Sequence, residues 1–158
     1  MIIEINKAIE TIQQTRKLFI TLMNSLSIEK LNEIPEGFNN NIIWNFGHVI
    51  VSQQILCYKL ANQPLKIDAA YVAKYSKGTK PDSLIDAEEL AFLKQQAVFL
   101  IDELIADVQA GTLDNYNTYL TSFGVVLNEI EDAIKYVTMH EGLHLGYAMA
   151  LKRIVNRS

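Results

Sequence analysis

The chain's three prolines, Pro35, Pro64 and Pro81, all fall outside the stretches in which apolar residues recur every three to four positions. That spacing marks amphipathic helices, and proline is what such helices exclude from their interiors. Four helical segments result. The first is expected over residues 2–31, with Ile2, Ile5, Ile9, Ile12, Phe19, Met23 and Leu26 on one stripe, and Ile34-Pro35-Glu36-Gly37 ends it. Asn39, Asn40 and Asn41 offer N-caps for the second, which runs to about Asn62. Ser83 with Asp86 three residues on has the form of a capping box and opens the third, closed by Gly111. Asn128 with Glu131 at the same offset opens the fourth, which reaches about Val155. Residues 64–82 form a long connection with a short helical turn near Ala69–Lys74, and a second, rich in Tyr, Asn and Thr, precedes Asn128. The expected fold is all-α: one domain over residues 1–158, a four-helix bundle with long connections after helices two and three.

Composition narrows the function classes. Hydrophobic residues make up 49% and charged residues 20% of the 158, enough for a packed core and too apolar for a disordered segment. A net charge of -4 supplies no basic footprint for nucleic acid. No apolar run approaches the length of a membrane span. Glu4, Lys7 and Glu10 interrupt what a signal-peptide core would need, and Cys57 is the only cysteine, so a reducing cytoplasm is the expected location.

The three histidines carry the chemistry. In helix four, Ile130, Ala133, Val137, His140, His144, Ala148, Leu151 and Val155 follow steps of three and four, which points both histidines into the bundle. In helix two, Trp44, His48, Val51, Ile55 and Tyr58 do the same for His48. A lone inward histidine is usually a hydrogen-bonded core residue. A pair four apart, with the chain's only other histidine also inward, suits capture of a metal.

Three metal sites fit the letters H-E-x-x-H at His140–His144. A zinc peptidase needs a further ligand downstream, and the 14 residues after His144 contain no His, Asp, Glu or Cys. A di-iron bundle needs a second Glu-x-x-His, but Asn45 stands three before His48. The third is a mononuclear site on His48, His140 and His144 with positions open to water or substrate. Zinc, the default, or nickel is the expected metal; manganese or iron could also occupy such a site, and the ligand set alone does not choose among them.

With these residues in place, "NNNIIWNFGHVIVSQQ", a long connection ending in "YSKGTKP", and "HEGLHLGYAMALKR" together resemble the DinB-like superfamily. The resemblance spans essentially the whole chain. It implies a four-helix bundle whose second and third helices run parallel, a homodimer, and one divalent metal on His48, His140 and His144. Many relatives have glutamine three residues after the last ligand, where this chain has Tyr147. Characterised relatives include transferases using bacillithiol and isomerases using mycothiol.

Other residues have two readings each. Glu141 offers a general base beside the pocket mouth, or is a solvated carboxylate on the helix flank. Asn45, one turn before His48, lines the pocket and supports a ligand, or caps its helix and faces solvent. Tyr147 offers its hydroxyl to an open metal position, or packs as core. Arg16 interrupts the helix-one stripe; it binds an anionic substrate, or snorkels to solvent. Cys57, nine residues after His48, lies about 180° around the helix from it and is expected to be a buried, inert thiol. The expected activity is metal-dependent transfer of a low-molecular-weight thiol to a small electrophile. The alternatives are metal-assisted hydrolysis with Glu141 as base and a non-catalytic binding protein.

Overall fold

The computed structural model describes residues 2–157, and side chains from Ile5 onward; Ile2, the first member of the expected helix-one stripe, lies outside the described side chains. Four long helices carry the fold: α1 (Ile2–Asn24), α3 (Ile42–Gln54, prolonged by a π-helical turn over Ile55–Lys59), α5 (Ala87–Gln109) and α6 (Ile130–Val155). Two short helices, α2 (Ile28–Asn32) and α4 (Ala69–Tyr75), lie in the connections, with one small antiparallel hairpin, β1 (Tyr119–Leu120) and β2 (Val126–Leu127). The fold is all-α. Both α1 and α3 pack against α5 and α6, which closes a ring of four long helices.

The starts of the elements show which local signals won. The expected first helix breaks at Ser25–Ser27. Ser25 turns its hydroxyl back to the Leu22 carbonyl, and Ser27 caps α2 by accepting from the Lys30 amide, so two serines compete with the helix for backbone partners. Asn41 proves to be the cap of α3, accepting from the Trp44 amide at 2.8 Å. The third helix begins three residues later than expected, because Asp86 rather than Ser83 caps it, accepting from the Glu89 amide. Glu129, not Asn128, precedes α6 and makes no side-chain cap; Asp132 accepts instead from the Asn128 amide, so the expected capping box does not form. The hairpin was missed: "YLTSFGVVL" has apolar arms flanking a turn in which Gly124 takes φ +77°.

Helix α3 is the centre of the molecule. Residues 41–51 are buried without interruption, as expected of a helix enclosed on all sides. Its first residues and the start of α5 lie at one end, joined through Asn32, whose amide bonds the Ile85 backbone and whose carbonyl accepts from Asn41. Its far end meets the far end of α5, where the Tyr58 hydroxyl donates to Asp107 at 2.7 Å. The two helices therefore run in the same direction.

The core is divided. One apolar cluster holds Phe19, Phe46, Ile50, Leu93 and Leu151; the other holds Ile12, Cys57, Ile101, Leu104 and Val137. Arg16, Gln53 and Glu141, all nearly or fully buried, occupy the sequence positions between them on α1, α3 and α6. Burial raises the Cys57 thiol to about 12, which leaves it inert.

Candidate metal centre

His48 is held from three sides. Its ring stacks on Trp44 at 4.7 Å and 9°, and Nδ1 lies 2.7 Å from the Tyr75 carbonyl. A carbonyl only accepts, so Nδ1 carries the proton and Nε2 presents its lone pair. Ser52 Oγ approaches that nitrogen at 3.3 Å. Tyr75 is itself fixed, since its hydroxyl and Lys74 both bond Glu89 at the start of α5. The Tyr75 ring lies so close over Gly47 that a Cβ there would stand 2.5 Å from it. Glycine is what lets α4 approach α3 at the histidine.

His144 is fixed through Asn45. The asparagine donates from Nδ2 to Asn40 Oδ1 and to the Asn41 carbonyl, which turns its Oδ1 toward His144 Nδ1 at 2.7 Å. With Nδ1 donating to that oxygen, His144 Nε2 presents its lone pair, as His48 Nε2 does to the Ser52 hydroxyl. Asn45 is buried, lines the cleft and bonds the His144 ring rather than facing solvent. His140 packs near Tyr136, with centroids 6.2 Å apart, and its buried Nδ1 has no partner among the described residues.

The three rings converge. Centroids lie 5.2 Å (His48–His140), 4.7 Å (His48–His144) and 4.6 Å (His140–His144) apart, and one ligating atom from each falls within 4.8 Å of the others. Burial holds all three imidazoles below their ordinary pKa. Desolvation, with the other two rings beside it, pushes His140 down to about 3, and desolvation with His48 nearby pushes His144 to about 4. For His48 desolvation outweighs the opposing pull of the Tyr75 carbonyl. The donor set fits a divalent metal: three neutral rings, two with tautomers that present Nε2, and a third with a buried nitrogen no protein group satisfies. The group could hold one metal ion.

Clefts reach the cluster from solvent. Tyr147 lines one of them, edge-on to Phe38 at 5.8 Å. Lys77 and Ser122, from the two connections, line the site as well, and sequence reasoning passed over both. The Tyr75 carbonyl was also missed, because a backbone acceptor has no letter of its own.

Two expected residues are elsewhere. Glu141 is neither a base at the mouth nor solvated: it is fully buried and forms a two-pronged ion pair with Arg16, Nη2 to Oε1 at 2.7 Å and Nε to Oε2 at 3.1 Å. Arg16 is only 2% exposed and neither snorkels nor lines the histidine clefts; its Nη1 donates to the Ala97 carbonyl. The correction follows from helix geometry. Consecutive residues point about 100° apart. The buried arc of α6 runs through Ile134, Val137, Glu141, Ala148 and Val155, which places Glu141 toward α1 and leaves the half-buried His140 and His144 on the edge facing α3. Burial raises the Glu141 carboxyl, and the Arg16 guanidinium opposes the shift.

With this geometry in hand, comparison with known families is decisive. A family model of the DinB superfamily matches residues 11–148. The chain belongs to the DinB superfamily. The match takes in all three histidines, Asn45 and Lys77. Among curated proteins none matches the chain.

Proposed function

We propose that this DinB superfamily protein is a metal-dependent enzyme that joins a low-molecular-weight thiol to a small electrophile. One observation carries the reading: three neutral histidines open onto solvent-reaching clefts, while the only carboxylate of their motif is locked on Arg16. A hydrolase built on H-E-x-x-H needs that carboxylate free to take a proton from water. An external thiol brings its own nucleophile. A bound divalent metal, zinc or nickel by preference, would supply Lewis acidity that favours the ionised thiol.

The chain's own residues do the positioning. His48, His140 and His144 would hold the ion, with the Tyr75 carbonyl and Asn45 fixing two of the rings. The Phe123, Leu143 and Tyr147 side chains line the cleft and give the electrophile's approach an apolar wall. In the reaction the thiol proton leaves to solvent, a sulfur–carbon bond forms, and the electrophile's leaving group departs with its electron pair. The single buried thiol suits a cytoplasmic setting, and among the described residues no helix is long and apolar enough to cross a membrane. Exposed Leu18 and Met149, on α1 and α6, suit a homodimer.

The test is a conjugation assay. Metal-loaded protein is offered several biological thiols against one chromogenic aryl halide, beside a metal-free control and His144→Ala. Conjugation that needs both metal and His144 is the expected result. No conjugation above the control with any thiol would favour a non-catalytic binding protein.

A further inference from the structure

Two clefts meet at the histidines. The larger, of about 360 Å³, runs past Asn40, Phe123, Leu143 and Tyr147. The smaller, of about 110 Å³, runs past Ser52, Tyr119, Thr121 and Tyr136. His48, His140, Lys77 and Ser122 line both. Neither lining contains an aspartate or glutamate among the described residues, and Lys77 is its one formally charged side chain.

The charge balance of such a site is one-sided. A divalent ion on three neutral imidazoles keeps its full double charge, because no ligating carboxylate offsets it. Lys77 adds another positive charge at the junction of the clefts. Glu141, one residue from His140, is already neutralised by Arg16. The metal's uncompensated charge on half-buried rings is costly, and the cost falls when a ligand brings the opposite sign, while Lys77, itself exposed, adds a screened attraction. Nor is Lys77 on a free-swinging loop. Tyr75, two residues before it, holds His48, and Thr79, two residues after it, accepts from the Trp44 indole at 3.0 Å. Gly78 turns the chain between them at φ +90°. The root of the ammonium is therefore tied to the His48 ring and to the Trp44 ring stacked on it, and no described side chain pairs with it.

We propose that the site selects small anions, with an ionisable atom directed at the three histidines and a separate carboxylate received by Lys77. This names the substrate class for the thiol-transfer reading above and rests on it: the thiol is a carboxylate-bearing one. Lys77 is then a specificity-determining residue, with the Ser122 backbone and side chain beside it at the same junction.

Cobalt(II)-loaded protein tests this by binding, without turnover. Its visible spectrum is titrated with 3-mercaptopropionate, 2-mercaptoethanol and cysteamine, which differ mainly in the charge of the distal group. Wild-type protein should favour the carboxylate over the hydroxyl by about fivefold to tenfold, the range of a charge-assisted contact at a partly exposed site. Lys77→Ala should bring that ratio to about one, and Lys77→Glu should move the preference to cysteamine. Equal affinities in wild-type protein, or a preference that survives Lys77→Ala, would overturn the proposal. Failure to take up cobalt at all would overturn the metal reading and this inference with it. Protein that takes up cobalt but no thiol would refute the thiol reading alone, and succinate against succinamide then decides: binding of succinate that depends on Lys77 sustains the anion site, and its absence overturns it.

Discussion

His140 and Glu141 are neighbours on α6, and they belong to different machines. His140 lines a cleft with two other rings, its pKa pushed down by burial so that the neutral form persists. Glu141 is sealed between two apolar clusters with an arginine 125 positions away in sequence. The first region is polar and lines clefts that reach solvent. The second is polar and closed, and it makes two long helices adopt one register. A single residue step, about 100° around the helix, thus separates the histidine cluster from the buried ion pair, and the H-E-x-x-H letters span two different regions.

The closed region should give the largest effect. Arg16→Ala leaves a buried carboxylate without its partner and is expected to cost about 3–5 kcal/mol in urea unfolding. Replacing both residues, as Arg16→Met with Glu141→Leu, should recover most of that loss, because the desolvation penalty goes with the charges. A double variant as unstable as the single one would show that the two residues do not act as a pair.

The open region should answer mainly through metal affinity. Asn45→Ala frees the His144 ring and should weaken metal binding about 10–100-fold, with the helical fold retained in circular dichroism. Gly47→Ala drives a methyl into the Tyr75 ring. It should cost about 1–3 kcal/mol in stability and weaken metal binding as well, since the Tyr75 carbonyl that orients His48 must shift. If Gly47→Ala destabilised without touching metal affinity, the link from α4 to the site would be broken.

A subtler contrast lies in pH. In the metal-free protein all three histidines titrate below their ordinary value, His140 near 3 and His144 near 4, so as pH falls below about 6.5 the unfolded chain binds protons that the folded one refuses. Metal-free stability should therefore fall as pH drops below about 6.5 and stay flat on this account above about 7. His140→Phe should flatten part of that slope in a thermal-melt series. Smallest of all, Tyr147→Phe should change metal affinity by less than about twofold, since no hydrogen bond ties its hydroxyl to the ligand rings. A larger change would restore the tyrosine as a ligand candidate.

The helical periodicity made the architecture and the inward histidines legible, because burial and 3.6-residue spacing act on letters directly. It placed Glu141 wrongly for an instructive reason. The stripe drawn through His140 and His144 treated both as core centre, whereas apolar neighbours on α1 and α3 bury an arc of α6 wide enough to enclose Glu141 as well. Arg16 looked like an interruption of its own stripe, and only the fold brought the two exceptions together. The Tyr75 carbonyl and the Lys77 junction depend on where a long connection folds back, which periodicity does not encode.

The central claim is that the histidines alone supply the protein's ligands while Glu141 stays with Arg16. X-ray absorption at the zinc edge, on protein loaded with one equivalent, tests it most directly. Ring multiple scattering should count three imidazoles, with nitrogens at about 2.0–2.1 Å, and Glu141→Gln should leave the spectrum unchanged. Fewer than three imidazoles, or a ligand shell that changes when Glu141 becomes glutamine, would contradict the account.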